Sequence, residues 1–327
     1  MHSSAARTRR RAWLPVISCS LFVILVASGC SMFTPASQHS AVLPSGSTSG
    51  QATPSPSPSP TPTPKVCARN APGFPCEMRN RIKEIRGYMR HLPGSIGIVI
   101  TDRANGATWH NANADVAFPA ASTMKLAMMT DILLRQDAGS ITLSSADREE
   151  MFQALYTSND DDANDLWDKY EDGSFLNRIQ KFGMTSARFT SSVPNWGFMY
   201  CTPQDLDNLI NYVLKDAPAN VRNYLVYRLQ HVAALDQQWG VWGAGPENHP
   251  GNKDGWEQDG SIWITNTVGF AGPAQDYTMA IMYNLGGFGG IGDAGFKYGS
   301  NKLTQIASIL FQGHHTAAPT PQASAVP

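Results

Sequence analysis

The chain of 327 residues predicts an α/β (α+β) protein: one antiparallel sheet flanked by helices, with an all-helical lobe inserted into it. Strand-like segments occur near both ends of the region able to fold, at 95–101 and 107–110, then at 253–256, 261–269 and 277–283. Helical periodicity fills the long interval between them and returns in a closing helix at 302–311. Strands so distant in sequence must meet in one sheet, which leaves the intervening helices as an insert.

Taken in order, residues 79–91 form a basic amphipathic helix. Ser-Ile-Gly-Ile-Val-Ile-Thr at 95–101 is a strand, and Asp102-Arg103-Ala104-Asn105-Gly106 turns it into a hairpin partner at 107–110. Helices follow at 121–135, 146–156, 161–170, 174–182, 203–214 and 220–231. The glycine-rich run 286–292 reads as a flexible loop, because no strand-to-helix context accompanies it for phosphate binding.

The two ends have another character. Arg7, Arg9, Arg10 and Arg11 precede an apolar run at 12–27 that contains Pro15 and is short for a membrane span. Val26-Ala27-Ser28-Gly29-Cys30 then resembles a bacterial lipobox. On that reading residues 1–29 are a signal peptide and Cys30 is lipidated; the alternative is an ordinary secretory signal with an incidental cysteine. Arg10-Arg11 followed by Ala12-Trp13-Leu14 also fits twin-arginine export. Residues 30–66 are rich in Ser, Pro and Thr, with prolines alternating from Pro54 to Pro64, a polyproline II spacer that would hold a folded domain off a membrane. Residues 314–327 read as a disordered tail. The expected location is therefore the outer face of the cytoplasmic membrane, with the 67–313 domain in the cell envelope and membrane contact through the lipid anchor only.

Without the signal peptide the chain keeps 21 basic against 26 acidic residues, a net charge of −5, which argues against nucleic acid as a partner. A monomer is expected. In an oxidising compartment Cys67 and Cys76, which flank a short Pro/Gly loop, can close a disulfide, leaving Cys201 as a buried apolar residue. His231 and His249 have no metal-ligand company, so neither a metal nor another cofactor is expected. Trp239, Trp242, Trp256 and Trp263 read as core and cleft wall, with a sugar platform as the alternative.

The chemistry concentrates at Phe118-Pro119-Ala120-Ala121-Ser122-Thr123-Met124-Lys125-Leu126-Ala127-Met128-Met129. As a helix this segment is apolar nearly all round and must be buried. Ser122 and Lys125, three residues apart, share one face of its first turn. Burial and the positive end of the helix both disfavour a charged lysine, and a neutral amine beside a serine activates it as a nucleophile. A second cluster, Ser158-Asn159-Asp160-Asp161-Asp162, opens the helix at 161–170; read alone, Ser158 is its cap. A third, Asn252-Lys253-Asp254-Gly255-Trp256, begins a strand.

In this order the three clusters resemble the motifs of penicillin-binding proteins and serine β-lactamases: Ser-x-x-Lys, Ser-x-Asn and Lys-Thr/Ser-Gly. The resemblance spans about 79–313. Ser-x-Asp-Asp and Lys-x-Gly-Trp are more similar still to actinobacterial lipoproteins of the LppW type, a divergent branch of that superfamily. It implies a β-lactamase/transpeptidase-like fold and a serine hydrolase of the β-lactamase/D,D-peptidase type. It further implies Ser122 as nucleophile, Lys125 as base, Ser158 as proton relay and Lys253 as a cation supporting the relay and attracting an anionic substrate. The N–H groups of Ser122 and Trp256 would form the oxyanion hole, and Asp160, Asp254 and Gly255 would meet the substrate, a cell-wall peptide or other acyl compound.

Three departures argue against efficient β-lactamase activity. Asp160 replaces the family's Asn and is expected to raise the pKa of Lys125. Asp254 replaces the Thr or Ser that binds a substrate carboxylate, and is expected to repel it. Residues 183–204 contain no Asp or Glu to activate a deacylating water. Two expectations follow: a divergent serine hydrolase, or a catalytically silent relative whose cleft binds a cell-envelope ligand.

Overall fold

The structure is a computed structural model that describes residues 66–313. The expected signal peptide, the lipidated Cys30, almost all of the tether and the tail lie outside the described residues.

Five antiparallel strands form the sheet: β1 (Ser95–Asp102), β2 (Ala107–His110), β6 (Gly251–Asp259), β7 (Ile262–Ala271) and β8 (Tyr277–Asn284), in the order β2-β1-β8-β7-β6. Both faces are covered, so the strands are apolar on each side and alternate residues enter two separate cores. Ile96, Ile98, Ile100, Met279, Ile281 and Tyr283 join one, while Val268, Phe270, Ala280 and Met282 join the other.

The first core is closed by α1 (Cys76–Met89), whose buried face is Met78, Ile82, Ile85 and Met89, and by α9 (Ala294–Phe311). α9 starts eight residues before the expected Lys302. Its early glycines carry little helical signal, yet they permit close packing: a Cβ at Gly295 would stand 2.2 Å from Trp263 Cδ1, and one at Gly299 2.4 Å from Thr265 Oγ1. Trp239, Trp256 and Trp263 surround Phe296 of this helix with ring centroids 5.6–6.0 Å away, so their rings fill a core rather than a sugar platform.

The other core carries the helical insert: α2 (Met124–Asp137), α3 (Ser145–Tyr156), α4 (Asp160–Tyr170), α5 (Phe175–Ile179), α6 (Pro203–Lys215), α7 (Ala219–Gln230) and α8 (Ala234–Gln237). Reciprocal caps start two of them, Ser144 with Asp147 and Thr202 with Asp205. A small sheet of β3 (Phe118–Pro119), β4 (Arg188–Phe189) and β5 (Met199–Cys201), ordered β3-β5-β4, was not expected; strands of two or three residues carry no periodicity to read. It ties the segment entering α2 to the 183–204 loop. Cys67 and Cys76 form a disulfide, and Cys201 is buried with its Sγ 4.0 Å from Met282 Sδ.

Candidate active site

The segment before Ser122 is fixed from two sides. Ala120 N–H donates to Met199 O at 2.8 Å, and Asn266 Nδ2 of β7 donates to Pro119 O and Ala120 O at 2.8 and 3.1 Å. Ala121 is then held at φ +48°, a left-handed conformation that costs an alanine about 1 kcal/mol or more. Ser122 lies not in the α-helix but in a 3-10 turn, Ala121–Thr123, which leads into it. The residue is 8% exposed, and Oγ has no hydrogen-bond partner among the described residues.

Lys125, in the first turn of α2, is fully buried. Its Nζ donates to Ser158 O (2.5 Å), Asn159 O (3.1 Å) and Asp160 Oδ1 (2.6 Å), lies 3.3 Å from Ser158 Oγ, and sits 4.5 Å from the centre of the Trp196 ring. Burial lowers its pKa to about 8, and Asp160 opposes that shift without cancelling it. The expected influence of Asp160 is thus the right sign but the smaller effect.

Ser158 does not cap α4; Asn159 does, accepting from Asp162 N–H at 3.1 Å. With Asn159 taking that task and Ser158 held at φ +65°, the Ser158 hydroxyl turns towards the two lysines. Lys253 Nζ donates to Ser158 Oγ at 2.9 Å, to Gln237 Oε1 at 2.9 Å and to Asp254 O at 2.7 Å. Gln237 was not singled out from the sequence. It is fully buried and also accepts from Asp254 N–H at 2.8 Å, yet its short helix α8 carries no motif.

β6 is the sheet's edge, and its period-two alternation sorts the third cluster. Lys253 faces the helical insert. Gly255 shares that face, and a Cβ there would lie 2.6 Å from Thr123 N and 2.9 Å from Ser122 N. Asp254 points the other way: it pairs across with Thr267, whose Oγ1 accepts from Val241 N–H behind the sheet. It is fully buried and does not line the cleft, so the expected contact between Asp254 and substrate is corrected by strand parity. Burial pushes its carboxyl well above the usual range. Lys253 is likewise fully buried, with its pKa driven well below the usual lysine value by burial and then by Lys125. It reaches the cleft only through Ser158, which contradicts its expected part in attracting an anionic substrate.

Ser122, Ser158 and Asp160 open onto a cleft of about 650 Å³ between β6 and the loop carrying Trp196 and Phe198. Trp256 borders it while its ring packs behind the sheet. Its walls carry the carboxyls of Asp160, Glu257 and Asp259 and no Lys, Arg or His among the described residues.

Sheet, inserted helices and a serine–lysine turn under the cleft define a β-lactamase-like fold. Residues 78–195 match the β-lactamase enzyme family. The chain is similar to the putative lipoprotein LppW of Mycobacterium bovis and of Mycobacterium tuberculosis, 24% identical over 218 residues that cover 63% of this chain and 68% of the relative. Among solved structures, a β-lactamase from Sphaerobacter thermophilus superposes with TM-score 0.53 at 19% identity, over 71% of this chain and 95% of that one. A β-lactamase from Xanthomonas campestris pv. campestris gives 0.58 at 17% identity, over 72% and 96%. At these identities the structural likeness speaks for the fold. No helix among the described residues is long and apolar enough to cross a membrane.

Proposed function

We propose that this chain is a divergent serine acyl-transfer enzyme of the cell envelope, anchored through Cys30 and lacking efficient β-lactamase activity. The observation that carries the reading is Ser122: a mostly buried residue whose unpartnered hydroxyl opens onto the cleft, one helical turn from a buried lysine whose pKa is about 8. In the reaction, Ser122 Oγ attacks the acyl carbon and its proton passes to the neutral amine of Lys125. The N–H groups of Ser122 and Trp256 receive the developing oxyanion. Ser158, backed by Lys253, returns a proton to the leaving group, and water then releases the acyl group. Gly255 keeps β6 close enough to the 3-10 turn for both oxyanion donors to serve one atom. The substrate is an ester, amide or peptide rather than a carboxylated β-lactam, because residues 183–204 bring no carboxylate to the cleft and its acidic walls repel anions.

The test is hydrolysis of p-nitrophenyl butyrate beside benzylpenicillin by wild type and Ser122→Ala. Ester turnover abolished by the substitution, rising with pH through about 8 as Lys125 loses its proton, with penicillin left intact, is the expected result. Turnover unchanged in Ser122→Ala overturns it. One observation favours a silent, ligand-binding cleft instead: Lys125 Nζ spends its donors on Ser158, Asn159 and Asp160, with no hydrogen bond to Ser122 Oγ.

A further inference from the structure

The outer half of β6 continues the face that carries Lys253 and Gly255. Period two places Glu257 and then Asp259 on that face, opposite Ile264 and Ile262 of β7. Both line the cleft, and neither has a cationic partner among the described residues. Asp160 adds a third carboxyl from α4, but it is already paired with Lys125. The two lysines of the site are of no help to the outer carboxyls: Lys125 is committed to Asp160, and Lys253 is fully buried and donates to Ser158. Burial, and then Asp259, raise the Glu257 pKa to about 7, which is the response of a carboxylate with no compensating cation; a cation bound beside it stabilises the ionised form. Ser122, more than nine-tenths buried and without a partner, lines the same cavity and marks it as built for a ligand. Phe198, 60% exposed, supplies an aromatic face at the same cleft.

We infer that the cleft selects an acyl substrate bearing a positive charge, an ammonium group seated between Glu257 and Asp259 while its acyl carbon lies at Ser122. The inference rests on the proposed acyl-transfer site for its geometry but not for its measurement. A cation placed there relieves the repulsion between the two carboxyls and stays clear of Lys125, whereas an anion meets three carboxyls and no basic side chain.

The experiment uses three matched p-nitrophenyl esters: 4-(trimethylammonio)butanoate, its neutral isostere 5,5-dimethylhexanoate, and the anionic succinate. Binding to Ser122→Ala, in which acyl transfer through this serine cannot occur, is followed by tryptophan fluorescence. The cationic ester is expected to bind about tenfold more tightly than the neutral one, a ratio corresponding to about 1.4 kcal/mol, and succinate more weakly than either. In Ser122→Ala with Glu257→Gln and Asp259→Asn the preference is expected to vanish. In the Ser122→Ala protein with both carboxyls intact it is expected to shrink on raising salt from 20 mM to about 1 M, which needs no substitution in β6. Equal affinity for cationic and neutral esters at low salt, or a preference that survives loss of both carboxyls, overturns the inference. Either result leaves the reactivity of Ser122 standing or falling on its own test.

Discussion

At Lys125 two opposing effects act on one amine. Burial removes the water that would stabilise the ammonium, while Asp160 and two backbone carbonyls stabilise it again; burial is the larger, and the pKa settles near 8. At pH 7 about a tenth of the lysine is then neutral, the form that the proposed base requires. Asp160 is half exposed, so solvent moderates its pull. Asp160→Asn is expected to shift the pH–rate profile of ester hydrolysis to lower pH by about one unit or less, and an unchanged profile would mean that Asp160 does not govern this base. The convergence of Ser122, Lys125, Ser158 and Lys253 was legible because three short motifs stand in a recognisable order. The direction of Asp254 was legible too from parity: if Lys253 and Gly255 face the helical insert, the residue between them faces away. Gln237 was not, since a buried amide shared by Lys253 and Asp254 N–H leaves no mark on sequence spacing.

Among the elements, β6 and the 3-10 turn at Ser122 depend on each other. Gly255 is required by contact, not by backbone conformation: any Cβ there collides with two backbone nitrogens, one of them the proposed oxyanion donor of Ser122. Gly255→Ala is expected to lower the reactivity of Ser122 by about tenfold or more through misalignment, while Tm falls by only a few degrees for a cost of about 1–3 kcal/mol. Near-normal ester turnover in this variant would show that β6 does not set the nucleophile's position. Lys253→Ala is a different kind of change. It leaves Ser158 Oγ, Gln237 Oε1 and Asp254 O without their shared donor inside the protein, and is expected to cost about 3 kcal/mol in urea unfolding. A loss below about 1 kcal/mol would indicate that these groups re-pair. Long periodic helices and the five-strand sheet announced themselves in the sequence. The three-strand sheet and the first half of α9 did not, because short strands lack a period and glycines that enable close packing look like loop.

The whole molecule joins an insert to a sheet, and one buried carboxyl at that junction is sensitive to pH. Asp207 of α6 accepts from Thr101 Oγ1 of β1 at 2.8 Å and Thr278 Oγ1 of β8 at 2.7 Å, and Asn211 Nδ2 adds a bond at 3.0 Å. Burial raises its pKa from 3.8 to about 6, the hydrogen bonds opposing that shift. A carboxyl raised on folding favours the folded state at low pH; its contribution falls as pH rises from about 4 to about 6 and is constant above. Asp207→Asn removes this titration. The stability of wild type relative to the variant is therefore expected to decline by roughly 2 kcal/mol across that window, measured by urea unfolding from pH 4 to 7. A difference independent of pH would show that Asp207 titrates normally. The central claim, however, concerns Ser122, and intact-protein mass after incubation with a fluorophosphonate tests it most directly. One probe mass added to wild type and none to Ser122→Ala is the result expected of an activated nucleophile above Lys125. An unshifted wild type, or equal labelling of both proteins, would contradict it.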